Sequence, residues 1–182
     1  MKKQVFSLIL GLSLFGCSDV LAGSSESDYA SYYKKAQKEY ESGNKQSALD
    51  DLNKAINLNP NDANVYNDRG LLKDELGDKQ GALDDLNKAI SLNPAEASAY
   101  YNRGYIKDNL GDKQGALDDL NKAISLNPKL ALAYFTRGYL KNDLRDKQGA
   151  LDDFKKAAEL YKKEGNTDSY NTTIKLIRKL SH

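Results

Sequence analysis

Residues Gly77–Pro94 read GDKQGALDDLNKAISLNP, and Gly111–Pro128 repeat all 18 of them at an offset of 34. One period earlier, Gly43–Pro60 read GNKQSALDDLNKAINLNP. One period later, the stretch from Arg145 reads RDKQGALDDFKKAAELYK, a decayed copy. Four copies at a constant period mark a repeat architecture, in which no unit can bury its apolar face alone.

Each copy splits into two helical patterns at Gly-Asp-Lys. In the third, at 100° per residue, Ala116, Leu117, Leu120, Ala123 and Ile124 fall within an arc of about 120°. Asp118, Asn121 and Lys122 fall opposite. Pro128 then bars further helix, since it has no N–H to donate. The preceding half groups Ala99, Tyr100, Gly104, Ile106 and Leu110 on one side. Gly104, Ala116 and Ala123 let the two helices approach closely, and Gly111 supplies the positive φ of a helix end. The spacing predicts an antiparallel helix pair. Thr167 or Asp168 is the expected cap of a final helix whose stripe is Tyr170, Ile174, Ile177 and Leu180.

Tyr100, Gly104, Ala116, Leu120, Ala123 and Pro128 together resemble the tetratricopeptide repeat family. Tyr66, Gly70, Ala82, Leu86, Ala89 and Pro94 match again in the second copy, and Tyr32, Ala36, Ala48, Leu52, Ala55 and Pro60 in the first. The fourth has Tyr134, Gly138, Ala150, Phe154 and Ala157, with Lys162 in place of the proline, which fits a longer helix there. The resemblance implies an all-α, right-handed α-solenoid of four helical hairpins with a C-terminal capping helix. The repeats span 29–62, 63–96, 97–130 and 131–164, and the cap 165–182.

Ahead of the repeats, Met1-Lys2-Lys3, an apolar run from Val5 to Gly16 and Val20-Leu21-Ala22 read as a signal peptide over 1–22. The run is shorter than the roughly 20 residues of a spanning helix. Leu14-Phe15-Gly16-Cys17 offers a second reading: a lipoprotein leader over 1–16 with Cys17 lipidated. The first predicts a periplasmic or secreted protein and the second a membrane-anchored one. Residues 23–28 read as a flexible linker.

Hydrophobic residues at 40% and charged residues at 29% are too polar for a multispanning membrane protein and too apolar for a disordered chain. Without the first 22 residues the chain holds 25 Lys and Arg against 25 Asp and Glu, so bulk charge draws in neither nucleic acid nor membrane. Cys17 is the single cysteine and His182 the single histidine, which rules out a Cys/His metal site. No P-loop, G-x-G-x-x-G or calcium-loop pattern is present. Adjacent acids such as Asp84-Asp85 point about 100° apart and do not converge on a substrate. The expected function is a protein- or peptide-binding module with no catalytic residues, metal, cofactor or small-molecule substrate. Self-association along repeat edges is a further expectation.

In the resembling family the first helix of each repeat lines a concave groove, which here gives candidate groove residues Tyr33; Asn67, Leu71, Asp74; Tyr101, Asn102, Tyr105, Asp108; and Phe135, Tyr139, Asn142. Aromatic rings suit apolar anchors and the acids a basic residue of a peptide. Each tyrosine could equally pack on the next repeat. Some chaperone-binding members clamp a C-terminal carboxylate with basic residues flanking an asparagine. Asn102 matches that asparagine, but Tyr33, Asn67, Leu132 and Thr136 beside it are not basic, which argues against such a clamp. Arg69, Arg103 and Arg137, with Lys73, Lys107 and Lys141 one turn on, project into the apolar arc. They either pair with aspartates of the neighbouring helix or form an internal anion site.

Overall fold

The computed structural model describes residues 25–181, so the leader with Cys17 lies outside the described residues. Two compact units divide the described residues, one ending at Pro94 and the other beginning at Ala95. In the first, α1 (Ser25–Glu41) pairs with α2 (Lys45–Leu58), α3 (Ala63–Leu76) pairs with α4 (Lys79–Leu92), and α2 also packs on α3. In the second, α5 (Ala97–Asn109) pairs with α6 (Lys113–Leu126) and α7 (Ala131–Asp143) with α8 (Lys147–Lys163). α6 packs on α7, and α9 (Thr167–Ser181) on α8. Among the described residues there is no strand. The expected four hairpins and closing helix are all present.

The hairpin corners follow from turn chemistry. Gly77 and Gly111 sit at φ 93° and 88°, the left-handed region that side chains resist. A Cβ at either would touch nothing within 4 Å, so backbone conformation alone asks for glycine. The fourth repeat has Arg145 there, at φ 67°. One residue on, a carboxylate caps the second helix: Asp78, Asp112 and Asp146 accept from the N–H of Gly81, Gly115 and Gly149, each at 2.9 Å.

The helices then meet through small residues. A Cβ on Gly104 would lie 3.1 Å from Asp119 Cβ and 3.2 Å from the Ala116 carbonyl, so the glycine fixes the spacing of α5 and α6. Ala116, Leu120 and Ala123 are fully buried, as are Ala82, Leu86 and Ala89 one period earlier. Each buried leucine contributes about 1.5–3 kcal/mol. Helix α8 runs 17 residues where α2, α4 and α6 run 14, as the missing proline at Lys162 predicts.

Three expectations change. Leu110 was expected on the packed side of α5 but is 50% exposed, with Leu76 and Leu144 at 43%. All three sit at the hairpin corner, past the reach of the facing helix. The cap of α9 is Asn166, whose Oδ1 accepts from Ser169 N at 3.1 Å, and Thr167 is already helical. Helix α1 starts at Ser25, inside the expected linker 23–28.

Candidate functional site

The cations inside the apolar arc resolve first. Arg69 Nε and Nη2 donate to the two oxygens of Asp85 at 2.8 and 2.6 Å, and Lys73 Nζ reaches the same carboxylate at 2.8 Å. Arg103 and Lys107 hold Asp119, and Arg137 and Lys141 hold Asp153, with the same distances. The three aspartates are each 4% exposed. Each guanidinium also lies 5.5 Å from the ring of Tyr66, Tyr100 or Tyr134. The charges are thus saturated by their own hairpin, and the internal anion site is not formed. In the first repeat Asp51 is held by Lys35 at 2.8 Å and Lys54 at 3.0 Å. Burial opposes its ionisation, yet the two ammoniums hold its carboxyl below the usual range.

With those charges engaged, the remaining variable surface within each unit is the face shared by its two first helices. In the first unit, α1 meets α3 through tyrosine–acid bonds. Tyr33 OH donates to Asp68 Oδ2 at 2.6 Å, Tyr40 OH to Glu75 Oε1 at 2.8 Å, and Tyr29 OH to Asp62. Asp68 is 3% exposed, and burial pushes its pKa up to about 7 against the opposing bonds from Tyr33 and Asn67. Burial and then the Asp68 charge raise the Tyr33 phenol well above its usual range, so this tyrosine donates at every physiological pH.

In the second unit the matching face is aromatic. Phe135 meets Tyr139, Phe154 and Tyr161 edge-on, at 5.1, 5.8 and 6.1 Å between centroids. Tyr139 also meets Phe154 at 5.3 Å, yet is 40% exposed. The extra turn of α8 is what brings Tyr161 to Phe135. Thr136 Oγ1 lies 3.5 Å from Tyr101 OH, and burial pushes that phenol up to about 12. Asp108 and Asp143 flank Lys113, which bonds Asp143 at 3.0 Å; burial raises the Asp108 carboxyl in spite of that lysine.

The candidate residues accordingly divide. Asn67, Tyr101, Asn102 and Phe135 are buried, at 2%, 5%, 1% and 9% exposure. They build the face and do not present themselves on it. Leu71, Tyr105, Asp108 and Asn142 are half-buried, Asp74 is half-buried and paired with Lys79, and Tyr33 is tied to Asp68. Tyr139 is the most open of the set. Reading the sequence passed over Tyr29, Asp62 and Tyr161. A signal for the tyrosine links exists in the spacing: Tyr33–Asp68, Tyr40–Glu75 and Tyr101–Thr136 each stand one repeat plus one residue apart.

Near-identical second helices that lock each hairpin, and variable first helices that share a face, define a helical-repeat scaffold. Tetratricopeptide repeat models match residues 63–96 and 97–130, and a further TPR repeat model matches 36–77. The chain belongs to the tetratricopeptide repeat family. It resembles a crystal structure of MamA, at 29% identity over 76% of this chain and 81% of that one, with a TM-score of 0.69. The Arabidopsis OM64 TPR domain matches at 24% identity over 66% and 99%, TM-score 0.64. The first TPR of Spaghetti (RPAP3), bound to the HSP90 peptide SRMEEVD, matches at 22% over 65% and 94%, TM-score 0.63. At the two lower identities the likeness concerns the fold. No curated protein matches the chain.

Proposed function

We propose that the chain is a non-enzymatic protein-interaction module that holds a peptide or protein segment on the face formed by the first helices of its repeats. The observation that carries this reading is Tyr139. It is 40% exposed although its ring is fixed edge-on by Phe135 and Phe154, so a large contact surface is offered with its entropy already lost. Family membership supports a protein partner, and the peptide held by the Spaghetti (RPAP3) domain is one instance on the same fold. That peptide carries acidic residues. Here Tyr33, Asn67, Leu132 and Thr136 stand at the flanking positions and none is basic, which supports a ligand with apolar anchors and a basic group instead. The leader over 1–22 supports export to the periplasm or beyond, and the rival reading at Cys17 would make the module a tethered lipoprotein scaffold in the cell envelope.

The test is capture from cell-envelope extract, with the native chain and a Tyr105→Ala/Tyr139→Ala variant of equal helicity as baits. Tyr101 is left intact because its burial would confound packing with binding. Proteins retained by the native bait and lost by the variant support the proposal. Identical recoveries from both baits, or none from either, overturn it.

A further inference from the structure

In the first unit, α1 and α3 meet at an acid that is fully served from inside. Glu75 accepts from Tyr40 OH at 2.8 Å and from Lys45 Nζ at 2.9 Å. Two repeats on, in the second unit, the acid and the lysine recur: Asp143 takes Lys113 Nζ at 3.0 Å. The tyrosine does not recur, and Asp108 stands in its place. A phenol donates to a carboxylate, whereas a second carboxylate repels it. Among the described residues the Asp108 carboxylate makes no hydrogen bond and no ion pair of its own. Burial raises it above its usual range, Lys113 opposes that, and Asp143 adds to it. Two carboxylates thus share one ammonium and are left one positive charge short.

Aromatic rings border the same place. Tyr139 lies one turn before Asp143 on α7, and Tyr105 one turn before Asp108 on α5. Tyr105 is half-buried, and Tyr139 is held edge-on by Phe135 and Phe154 while 40% exposed. A ring-lined, half-buried place disfavours a strongly hydrated ammonium. A guanidinium is weakly hydrated and planar, stacks on phenol rings and forks to carboxylates.

We propose that this patch of the second unit takes an arginine side chain of the partner, its guanidinium bonded to Asp108 and Asp143 and stacked on Tyr139. The inference rests on the interaction-module reading above and names the basic group of its ligand and the residues that hold it. Charge complementarity selects the occupant: one added cation neutralises the two carboxylates and Lys113 together, and gives Asp108 the donor that the chain itself does not supply. The corresponding place in the first unit selects no arginine, because Tyr40 and Lys45 already satisfy Glu75.

Selection of random peptides displayed on phage, with the full chain and Asp108→Asn as targets, tests it. Asp108 has no internal bond to lose, so the variant keeps the fold, which circular dichroism checks. The native chain is expected to retain peptides enriched in arginine over lysine. The variant should retain peptides with the same apolar preference and with arginine at the frequency of the unselected library. One retained peptide is then synthesised with arginine and with citrulline, its uncharged analogue, and both are titrated by fluorescence anisotropy. Citrulline should weaken binding to the native chain about tenfold, the worth of a hydrogen bond to a charged group, and binding to Asp108→Asn by less than about twofold. Retained peptides without arginine enrichment, lysine enriched as strongly as arginine, or equal citrulline losses on the two chains overturn this inference and leave the interaction module standing. A native chain that retains no peptide overturns both.

Discussion

Replacing Arg137 with leucine would test whether buried ion pairs hold these hairpins together. Arg137 gives two bonds to Asp153, at 2.8 and 2.6 Å, and a third from Nη1 to Asn121 at 2.6 Å. The substitution strips both guanidinium bonds from a carboxylate that is 4% exposed and leaves it Lys141 Nζ at 2.8 Å. Breaking a buried pair from one side costs about 3–5 kcal/mol, because the surviving charge stays desolvated. Lys141 offsets part of that, which places the expected loss at the lower end, about 3 kcal/mol. Loss of the Tyr134 ring contact adds about 0.5–1 kcal/mol. Urea unfolding followed by circular dichroism gives the magnitude. Hydrogen exchange in α7 and α8 reports it locally, since a repeat array can open one hairpin at a time. In Arg137→Leu/Asp153→Leu the stranded carboxylate is gone, and Lys141, with a side chain 25% exposed, can turn to water. That double variant is expected within about 1 kcal/mol of the native chain. A loss below about 1 kcal/mol in the single variant, the range of exposed pairs, refutes the reasoning. So does a double variant less stable than the single one.

Asp68 has its pKa raised to about 7 in the fold, above the ordinary 3.8, so its protonated form is favoured there. The stability it contributes is full below about pH 4 and is lost as pH rises through 7. Asp68→Asn should therefore stabilise the protein at pH 8, with a ceiling of about 4 kcal/mol from a shift of about three units, and change nothing below pH 4; equal urea midpoints at pH 8 contradict this. Arg145→Gly should raise stability by about 1 kcal/mol by relieving the left-handed conformation at φ 67°, with thermal unfolding as the check. Gly138→Ala should cost about 1–3 kcal/mol, because its Cβ would lie 2.8 Å from a Phe154 ring carbon that is itself 1% exposed; an unchanged melting temperature rejects the close contact.

The second helices were legible in the sequence because a 34-residue period and a 3.6-residue period agree in them. Ala116, Leu120 and Ala123 read as core and are core. The first helices were legible only on one side. A helical wheel assigns each residue to inward or outward, but a helix in a stack is covered twice, by its own hairpin partner and by the neighbouring first helix. Tyr101 therefore reads as outward and is nevertheless buried, beside Thr136 of the neighbouring first helix; Phe135 also reads as outward and is buried by Phe154 and Tyr161 of its own partner α8. A wheel also has no ends, so Leu110 read as core although it lies at the corner. Nothing in the sequence around Asp68 marks its burial, because the signal lies in a partner 35 residues away.

The departures from perfect repetition carry as much physical information as the copies. Arg69 reaches back to Asn53 Oδ1 at 2.8 Å, and Arg137 reaches back to Asn121 Oδ1 at 2.6 Å. Within each unit this guanidinium spans two interfaces, its own hairpin through the aspartate and the preceding hairpin through the asparagine. The arginine is needed only where a repeat precedes and the asparagine only where one follows. The first repeat has Lys35 in the arginine slot, and it serves Asp51 alone. The fourth has Lys155 in the asparagine slot, with its side chain 62% exposed. Among the described residues no hairpin precedes position 35, and the position one repeat beyond Arg137 is Asn171, so neither an arginine at 35 nor an asparagine at 155 would meet its counterpart. The identical residues are thus fixed by contacts inside a hairpin, and the arginine–asparagine pair by contacts between hairpins. The positions that change most between copies lie on the first helices, where Gln37, Leu71, Tyr105 and Tyr139 share one position and Tyr40, Asp74, Asp108 and Asn142 another, and the proposed function places partner selection there.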